Sequence, residues 1–238
     1  MRLLASIERH PWRWALAMLV PLVVFPQIDL SLSQIFFDPG RRIFLLRSHP
    51  LGDFVRKTMP IILFALAAGV AVLGLVSARL DRRFLGFDGK AAAYVILSLA
   101  VGPGLIVNVL FKDYWGRPRP STITEFSGPN HYVMALMPSD QCLDNCSFPS
   151  GHAALAFWMV SFAFLAPPLW RRKAILAALA FGVVIGLVRI AQGGHFLSDV
   201  AFSGVIVTGL CQWLYGVIIV RSNMTFQKNN HSKAAESS

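Results

Sequence analysis

The chain has 238 residues, of which 55% are hydrophobic and only 14% are charged. Soluble domains carry about 25% charged residues, so this composition excludes an ordinary water-soluble protein and indicates a membrane protein. The net charge of +10 at pH 7 does not indicate nucleic-acid binding, because the sequence shows no basic patch interleaved with aromatic residues. Lys and Arg also accumulate in the cytoplasmic loops of membrane proteins, and the lipid bilayer is the expected partner.

Six apolar stretches approach or reach the roughly 20 residues that a helix needs to cross a bilayer core. They predict an all-α, polytopic membrane protein with six transmembrane helices in a bundle. The first stretch contains bulky Trp14 and has no small-residue cleavage site after it, which favours an uncleaved anchoring helix over a signal peptide. The six predicted helices cover residues 12–28, 60–80, 91–111, 151–169, 174–192 and 196–220.

Two of the segments between these helices are long. Residues 29–59 alternate apolar residues with Arg and His, and such an amphipathic segment typically lies flat in the headgroup layer. Residues 112–150 are rich in Pro, Ser, Asn and Asp. A transmembrane domain is therefore expected over residues 1–222, followed by a disordered cytoplasmic tail over residues 223–238.

The chain contains three cysteines. Cys211 lies in an apolar stretch and is predicted to be a packed thiol. Cys142 and Cys146 share the short polar segment CLDNC, whose spacing would close a small disulfide in an oxidising compartment. Two free thiols are equally compatible with the sequence, whereas a metal site would need more ligands nearby.

The distribution of basic residues predicts the orientation of the bundle. If both termini lie in the cytoplasm, the cytoplasmic segments hold 13 of the 22 Lys and Arg, and the opposite side holds the other nine. Cytoplasmic loops carry an excess of Lys and Arg, so this bias favours cytoplasmic termini. Three polar clusters at helix ends then fall together on the outer face.

The first cluster, KDYWGRPRP, contains Lys112, Arg117 and Arg119. Pro118 and Pro120 flank Arg119 and stiffen the backbone there. A guanidinium on a stiff stem is suited to two-pronged binding of phosphate oxygens. Taken singly, Lys112 and Arg117 are better explained as cations that anchor the chain at lipid headgroups.

The second cluster, PSGH, stands directly before the fourth apolar stretch. Ser150 is a natural N-cap and Gly151 lets a ligand approach the backbone, so the free N–H groups of the helix would form an anion site. His152, in the first turn, would be placed to donate a proton to a departing oxygen. By itself, this motif is equally compatible with an ordinary helix cap followed by an interfacial histidine.

The third cluster, RIAQGGHFLSD, contains Arg189, His195 and Asp199. On a helix, His195 and Asp199 would share a face, and the carboxylate would make the second ring nitrogen a better nucleophile. Arg189 lies where a charge is costly unless it is paired or bound to an anion. The alternative is a structural Arg–Asp pair with a spectator histidine. Charged residues inside a membrane rarely lack a function, which disfavours this alternative.

The three clusters together predict a phosphoryl-transfer site that needs no metal and no other cofactor. The sequence contains no HExxH motif, no Cys-rich metal spacing and no Walker glycine loop. A transporter with a charged pathway is the alternative from another class, but it explains only the third cluster. A phosphotransferase that passes phosphate between lipids would use the same chemistry.

The chain resembles the type 2 phosphatidic acid phosphatase family, whose three motifs are K-x6-RP, PSGH and SR-x5-H-x3-D. All three motifs occur at the same spacings within residues 112–199. The departure is Val188, which stands where the family usually has Ser and removes one hydroxyl contact to the phosphate. The matching residues are Lys112, Arg119, Pro120, Pro149, Ser150, Gly151, His152, Arg189, His195 and Asp199.

This resemblance implies a metal-independent phosphatase. His195 would attack phosphorus and Asp199 would orient it. His152 would protonate the leaving alkoxide and then help water to hydrolyse the phosphohistidine. The residues implied to hold the phosphoryl oxygens are Lys112, Arg119, Ser150, Gly151 and Arg189.

The stretch CLDNCSFPSGHAA, with FFDPGRR upstream, is similar to the bacterial lipid A phosphatases within this family. This resemblance implies an inner-membrane enzyme that removes the 1- or 4'-phosphate of lipid A at the periplasmic face. Phosphatidylglycerophosphate, undecaprenyl pyrophosphate and phosphatidic acid stay open as substrates. A saccharide headgroup would need an open site, which residues 29–59 would line.

Overall fold

The structure is a computed structural model that describes residues 11–82, 87–112 and 114–221. The predicted tail over residues 223–238 lies outside the described residues. Helices dominate the fold, and two strands of two residues each form a small antiparallel hairpin. In chain order the elements are α1 (Pro11–Val24), α2 (Gln27–Ile35), β1 (Phe37–Asp38), β2 (Ile43–Phe44), α3 (Pro50–Leu80), α4 (Gly89–Phe111), α5 (Gly151–Leu165), α6 (Pro168–Ala191) and α7 (Leu197–Val220).

Four of these helices, α3, α4, α6 and α7, are long and apolar enough to cross a membrane. Helices α1 and α2 meet the same criterion only as a pair, which is bent by 90° at a short break. Helix α5 is a shorter apolar helix with a turn between Phe157 and Val160. The predicted all-α, polytopic membrane class is therefore confirmed, with a bent pair and a short helix at the first and fourth predicted crossings.

Helix α3 begins ten residues before the boundary that hydropathy predicts. Pro50 occupies the first turn, where its missing N–H costs no hydrogen bond. The His49 ring accepts a hydrogen bond from the backbone N–H of Leu51 at 3.2 Å and caps the helix. The first turns also carry charged residues, including the Asp53–Lys57 pair at 3.1 Å. Charged residues lower the local hydropathy, so a hydropathy pattern places the helix start too late. The predicted interfacial segment therefore contributes α2, the hairpin and the start of α3.

The core forms around α5, which packs against α4, α6 and α7. Glycines allow the closest approaches between these helices. A Cβ at Gly182 of α6 would lie 2.3 Å from the Phe157 ring, and a Cβ at Gly186 would lie 2.3 Å from Val200 of α7. The fully buried Trp158 satisfies its indole N–H by donating to the Val95 carbonyl of α4 at 3.0 Å. This packing places the start of α5 beside the end of α4 and the α6–α7 junction.

A second, smaller cluster of aromatic and aliphatic side chains holds the connecting loops over that end of the bundle. Phe44 from the hairpin, Phe126 from the loop after α4 and Phe196 from the α6–α7 junction are all buried there. The backbone N–H of Leu46 donates to the Ala191 carbonyl at 3.0 Å, which ties the hairpin to the end of α6. The loops that carry polar residues are therefore fixed against the helix ends.

Candidate active site

The helix packing brings the three predicted clusters together at one end of the bundle. A Cβ at Gly151 would lie 3.6 Å from Lys112 Nζ, so the first and second clusters adjoin. The backbone N–H of Ser150 donates to the Asp199 carbonyl at 3.2 Å, which joins the second cluster to the third. Residues between positions 112 and 199 of the chain therefore form one site.

His195 lies fully buried in the turn between α6 and α7. Its Nδ1 is 2.7 Å from the Ser147 carbonyl oxygen. A carbonyl only accepts hydrogen bonds, so Nδ1 carries the hydrogen and Nε2 presents its lone pair. Nε2 is buried and has no hydrogen-bond partner among the described residues. The ring is therefore held in the tautomer that suits nucleophilic attack by Nε2.

The charge state of His195 follows from its surroundings. Burial lowers the pKa of His195 well below its ordinary value, and the nearby cations Arg119, Arg189 and Lys112 lower the pKa further. The imidazole therefore stays neutral at ordinary pH, as a nucleophile requires.

Asp199 contacts the ring less directly than the i,i+4 spacing suggests. Its Oδ2 is 3.7 Å from His195 Nδ1, beyond hydrogen-bond distance. The same oxygen accepts hydrogen bonds from the Ser147 hydroxyl at 2.5 Å and from the Phe196 backbone N–H at 2.7 Å. Ser147 thus carries the direct contact to the ring through its carbonyl, and Asp199 holds both Ser147 and the start of α7 in place.

Arg189 lies near the end of α6 and is only 3% exposed. One terminal nitrogen donates to the Gln192 side-chain oxygen, while Nε is buried without a hydrogen-bond partner in the described part of the chain. A Cβ at Gly194 would lie 2.6 Å from Arg189 Nη2, so any other residue there would displace the guanidinium from this position. A buried guanidinium with an unused donor is costly by itself and favours a bound anion.

Arg119 is half-buried and is clamped by one residue of the loop before α5. Its Nε and Nη2 donate to the Asn145 carbonyl at 3.1 and 2.6 Å, and Nη2 also donates to Asn145 Oδ1 at 2.8 Å. Asn145 belongs to the short loop that a Cys142–Cys146 disulfide closes. The disulfide is thus the alternative that the structure adopts, and the loop that it closes orients Arg119.

The start of α5 carries the PSGH motif. Ser150 is the N-cap, as predicted, and its Oγ accepts from the Ala153 backbone N–H at 3.4 Å. The next residue but one, His152, has its Nε2 3.0 Å from the Arg56 carbonyl oxygen of α3. Because the carbonyl accepts, Nε2 keeps a hydrogen in both charge states, and Nδ1 is the nitrogen that can exchange a proton.

A cavity of about 540 Å³ opens beside His152, between α3, α4 and α5. Its polar end contains Lys112, Asn108 and Arg56, and the remaining lining is apolar. Arg56 comes from the predicted interfacial segment, which was expected to line the site. The apolar lining residues are Pro60, Phe64, Ile96, Leu99, Ala100, Pro103, Gly104 and Leu155.

Sequence reasoning missed two charged groups of this region. Arg117 was explained as a headgroup anchor when taken singly, and this interpretation is wrong because Arg117 is fully buried in ion pairs with Asp29 and Asp199. Asp29 was assigned to the interfacial segment, but it is only 1% exposed. The available signal was a lone carboxylate at the end of an apolar stretch, where an unpaired charge is costly.

Comparison with known proteins agrees with the motifs. Residues 91–223 match the model of the PAP2 superfamily. The chain is 33% identical over 205 residues to a protein named lipid A 4'-phosphatase from Francisella tularensis subsp. novicida, covering 84% of this chain and 89% of that protein. It is 29% identical over 243 residues to a protein of the same name from Rhizobium etli, covering 94% and 89% of the two chains. No solved structure matches the chain significantly. The resemblance drawn from the three motifs is confirmed, and the chain belongs to the PAP2 superfamily.

Proposed function

We propose that this chain is an integral-membrane phosphatase that removes a phosphate from lipid A through a phosphohistidine intermediate. The observation that carries the mechanism is the buried, neutral His195, whose Nε2 has no hydrogen-bond partner among the described residues and lies among several cations. Such an arrangement combines a nucleophile with preorganised positive charge, which is what phosphoryl transfer requires.

In the first step, His195 Nε2 attacks phosphorus and the P–O bond to the lipid breaks. The leaving alkoxide takes the proton from Nδ1 of the His152 imidazolium, the charged form of the ring that a bound phosphate anion stabilises. Charge that develops on the phosphoryl oxygens is balanced by Lys112, Arg119 and Arg189, together with the Ser150 hydroxyl and the Gly151 N–H. The Arg189 Nε–H, which has no hydrogen-bond partner among the described residues, is available to donate to a phosphoryl oxygen.

In the second step, the neutral His152 accepts a proton from water while the water oxygen attacks phosphorus. The N–P bond breaks, which releases inorganic phosphate and the neutral His195. Each histidine returns to its starting protonation state, so no metal or cofactor is needed to balance the cycle.

The cavity beside His152 supports a lipid as the substrate. Its polar end adjoins Lys112 and Gly151, and its apolar lining is open to an acyl chain between α3 and α4. A phosphate with an attached hydrocarbon chain fits this division, because burial of methylene groups is favourable while the phosphate stays among cations. The printed names of both relatives support lipid A, and its 4'-phosphate, as the specific substrate.

The charge distribution supports a periplasmic site in a bacterial inner membrane. The end of the bundle opposite the site carries basic residues at the end of α3, the starts of α4 and α6, and the end of α7. With both termini counted on that side, it holds 13 of the 22 Lys and Arg, which by the positive-inside rule supports a cytoplasmic orientation of that end and a periplasmic site. An oxidising periplasm also suits the Cys142–Cys146 disulfide. The basic residues at the cytoplasmic end are Arg79, Arg82, Lys90, Arg171, Arg172, Lys173 and Arg221.

Phosphate release from a panel of lipids tests the proposed function. Purified protein in detergent is given lipid A, phosphatidylglycerophosphate, undecaprenyl pyrophosphate or phosphatidic acid, each in the presence of EDTA. We expect the highest kcat/KM for lipid A, with mass spectrometry showing loss of the 4'-phosphate. Hydrolysis of another lipid while lipid A stays intact would overturn the assignment of lipid A as the substrate. Activity that vanishes in EDTA and returns with a divalent ion would overturn the mechanism.

A substitution that fills the cavity tests its role in acyl-chain binding. We expect Ala100→Trp to raise the KM for the long-chain lipid about tenfold, the effect of losing roughly two buried methylene groups. Hydrolysis of p-nitrophenyl phosphate, which has no acyl chain, should change less than twofold. The matched control is Ala93→Trp on the same helix, which is exposed but does not line the cavity. Equal effects of the two substitutions would contradict this assignment.

A further inference from the structure

We propose that Asp29 is a positioning residue of the reaction, which keeps the negative charge of Asp199 available to His195 by sharing Arg117 with it. This inference rests on the phosphohistidine mechanism proposed above. Asp29 lies in α2, outside the residues 91–223 that match the family model. The N-terminal segment is thereby a part of the catalytic site.

The carboxylate of Asp29 is buried and fully hydrogen-bonded. Its Oδ2 accepts from Arg117 Nη2 at 2.8 Å, from the Tyr132 hydroxyl at 3.2 Å and from the Ser198 hydroxyl at 2.5 Å. Its Oδ1 accepts from the Ser198 backbone N–H at 2.8 Å, at the start of α7. These contacts satisfy an ionised carboxylate, and its negative charge is stabilised by one guanidinium.

The same guanidinium serves a second carboxylate. Arg117 Nη1 donates to Asp199 Oδ1 and, at 2.8 Å, to the Ser198 hydroxyl. Its Nε donates to the Val133 carbonyl at 2.8 Å, and its face lies 4.4 Å from the centre of the Phe196 ring. Arg117 is thus locked in one orientation as a bridge between two carboxylates.

The charges of this bridge explain why two carboxylates are present. Two carboxylates and one guanidinium leave a surplus of one negative charge, and Asp199 lies 3.7 Å from His195 Nδ1. When His195 becomes phosphorylated, its ring gains positive charge, which a nearby negative charge stabilises strongly in a low-dielectric interior. Without the charge of Asp29, Arg117 would neutralise Asp199 alone, and the stabilisation of the intermediate would be lost.

The isosteric substitution Asp29→Asn tests this role in the full-length protein. We expect kcat to fall roughly 10- to 100-fold, about the effect of removing one charged partner from a buried hydrogen-bonded ion pair, with KM within twofold of the wild type. Less ³²P-labelled phosphohistidine should be trapped at steady state. Asp38→Asn, a half-exposed carboxylate in the same segment, is the control and should leave kcat unchanged.

The comparison with Asp29→Glu separates charge from packing. Asn matches the shape of Asp but lacks its charge, whereas Glu keeps the charge and adds a methylene group. We expect Glu to retain more activity per folded protein than Asn. The reverse order, or a kcat for Asp29→Asn within twofold of the wild type, would overturn the proposal.

Two further arms keep the outcomes distinct. If Asp29→Asn does not fold, Ser198→Ala removes the hydroxyl that joins Asp29 to Arg117 and should lower kcat about fivefold, the effect of one hydrogen bond, at unchanged KM. A kcat within twofold of the wild type would then overturn the proposal. Absence of any trapped phosphohistidine in the wild-type protein would instead refute the proposed mechanism itself.

Discussion

Replacing His195 with alanine is expected to abolish turnover of every phosphomonoester substrate. The imidazole is the proposed nucleophile, and its buried Nε2 has no hydrogen-bond partner in the described part of the chain. Alanine removes the atom that forms the bond to phosphorus, so the covalent route is closed and no general base can replace it. Phosphate release and trapping of ³²P-labelled protein are the measurements, and both should fall to background.

The control for this substitution is His131→Ala, which removes an exposed imidazole from the loop after α4. This variant should hydrolyse lipid at the wild-type rate. Because the His195 ring is packed, the folded fraction of His195→Ala is measured by size-exclusion chromatography and His195→Gln is tested in parallel. Near-normal rates in a folded variant at position 195 would overturn the phosphohistidine mechanism.

His152→Ala is expected to lower kcat by about 10²- to 10⁴-fold, the usual contribution of a general acid. The ring is held by its Nε2 against the Arg56 carbonyl, which leaves Nδ1 to protonate the leaving group. A lipid alkoxide is a poor leaving group and needs that proton, whereas nitrophenolate leaves without it. The rate constant of the pre-steady-state burst with p-nitrophenyl phosphate should therefore fall much less than the rate of lipid hydrolysis.

This difference between the two leaving groups distinguishes proton donation from mere structural support. A substitution that only distorts the start of α5 would slow both substrates equally, and this outcome would contradict the general-acid role. The matched control is His49→Ala, which removes a histidine that caps α3 and should not change the ratio of the two rates.

The residues of the three motifs could be predicted to share one site because hydropathy places their clusters at helix ends and the distribution of basic residues puts those ends on one face. Ser150 is the N-cap of α5, and Arg189 and Asp199 lie at the adjoining ends of α6 and α7, as predicted. The partner of His195 could not be assigned in this way. Helical spacing indicated Asp199, but the ring bonds the Ser147 carbonyl, because residues 195 and 196 precede the helix and turn the ring toward the loop.

Composition and hydropathy by themselves determined the membrane class and the approximate helices, and the motifs with their spacings predicted the chemistry of the site, since all of these depend on local residue types and short spacings. Only the tertiary structure decided that Asp29 and Arg117 belong beside Asp199, that α3 begins at Pro50, and that the CLDNC cysteines form a disulfide. Asp29 and Arg117 are 88 residues apart. A buried carboxylate needs a cationic partner, but the cost of burial does not identify which residue supplies the cation. Only the packing of the helices brings one specific guanidinium within reach.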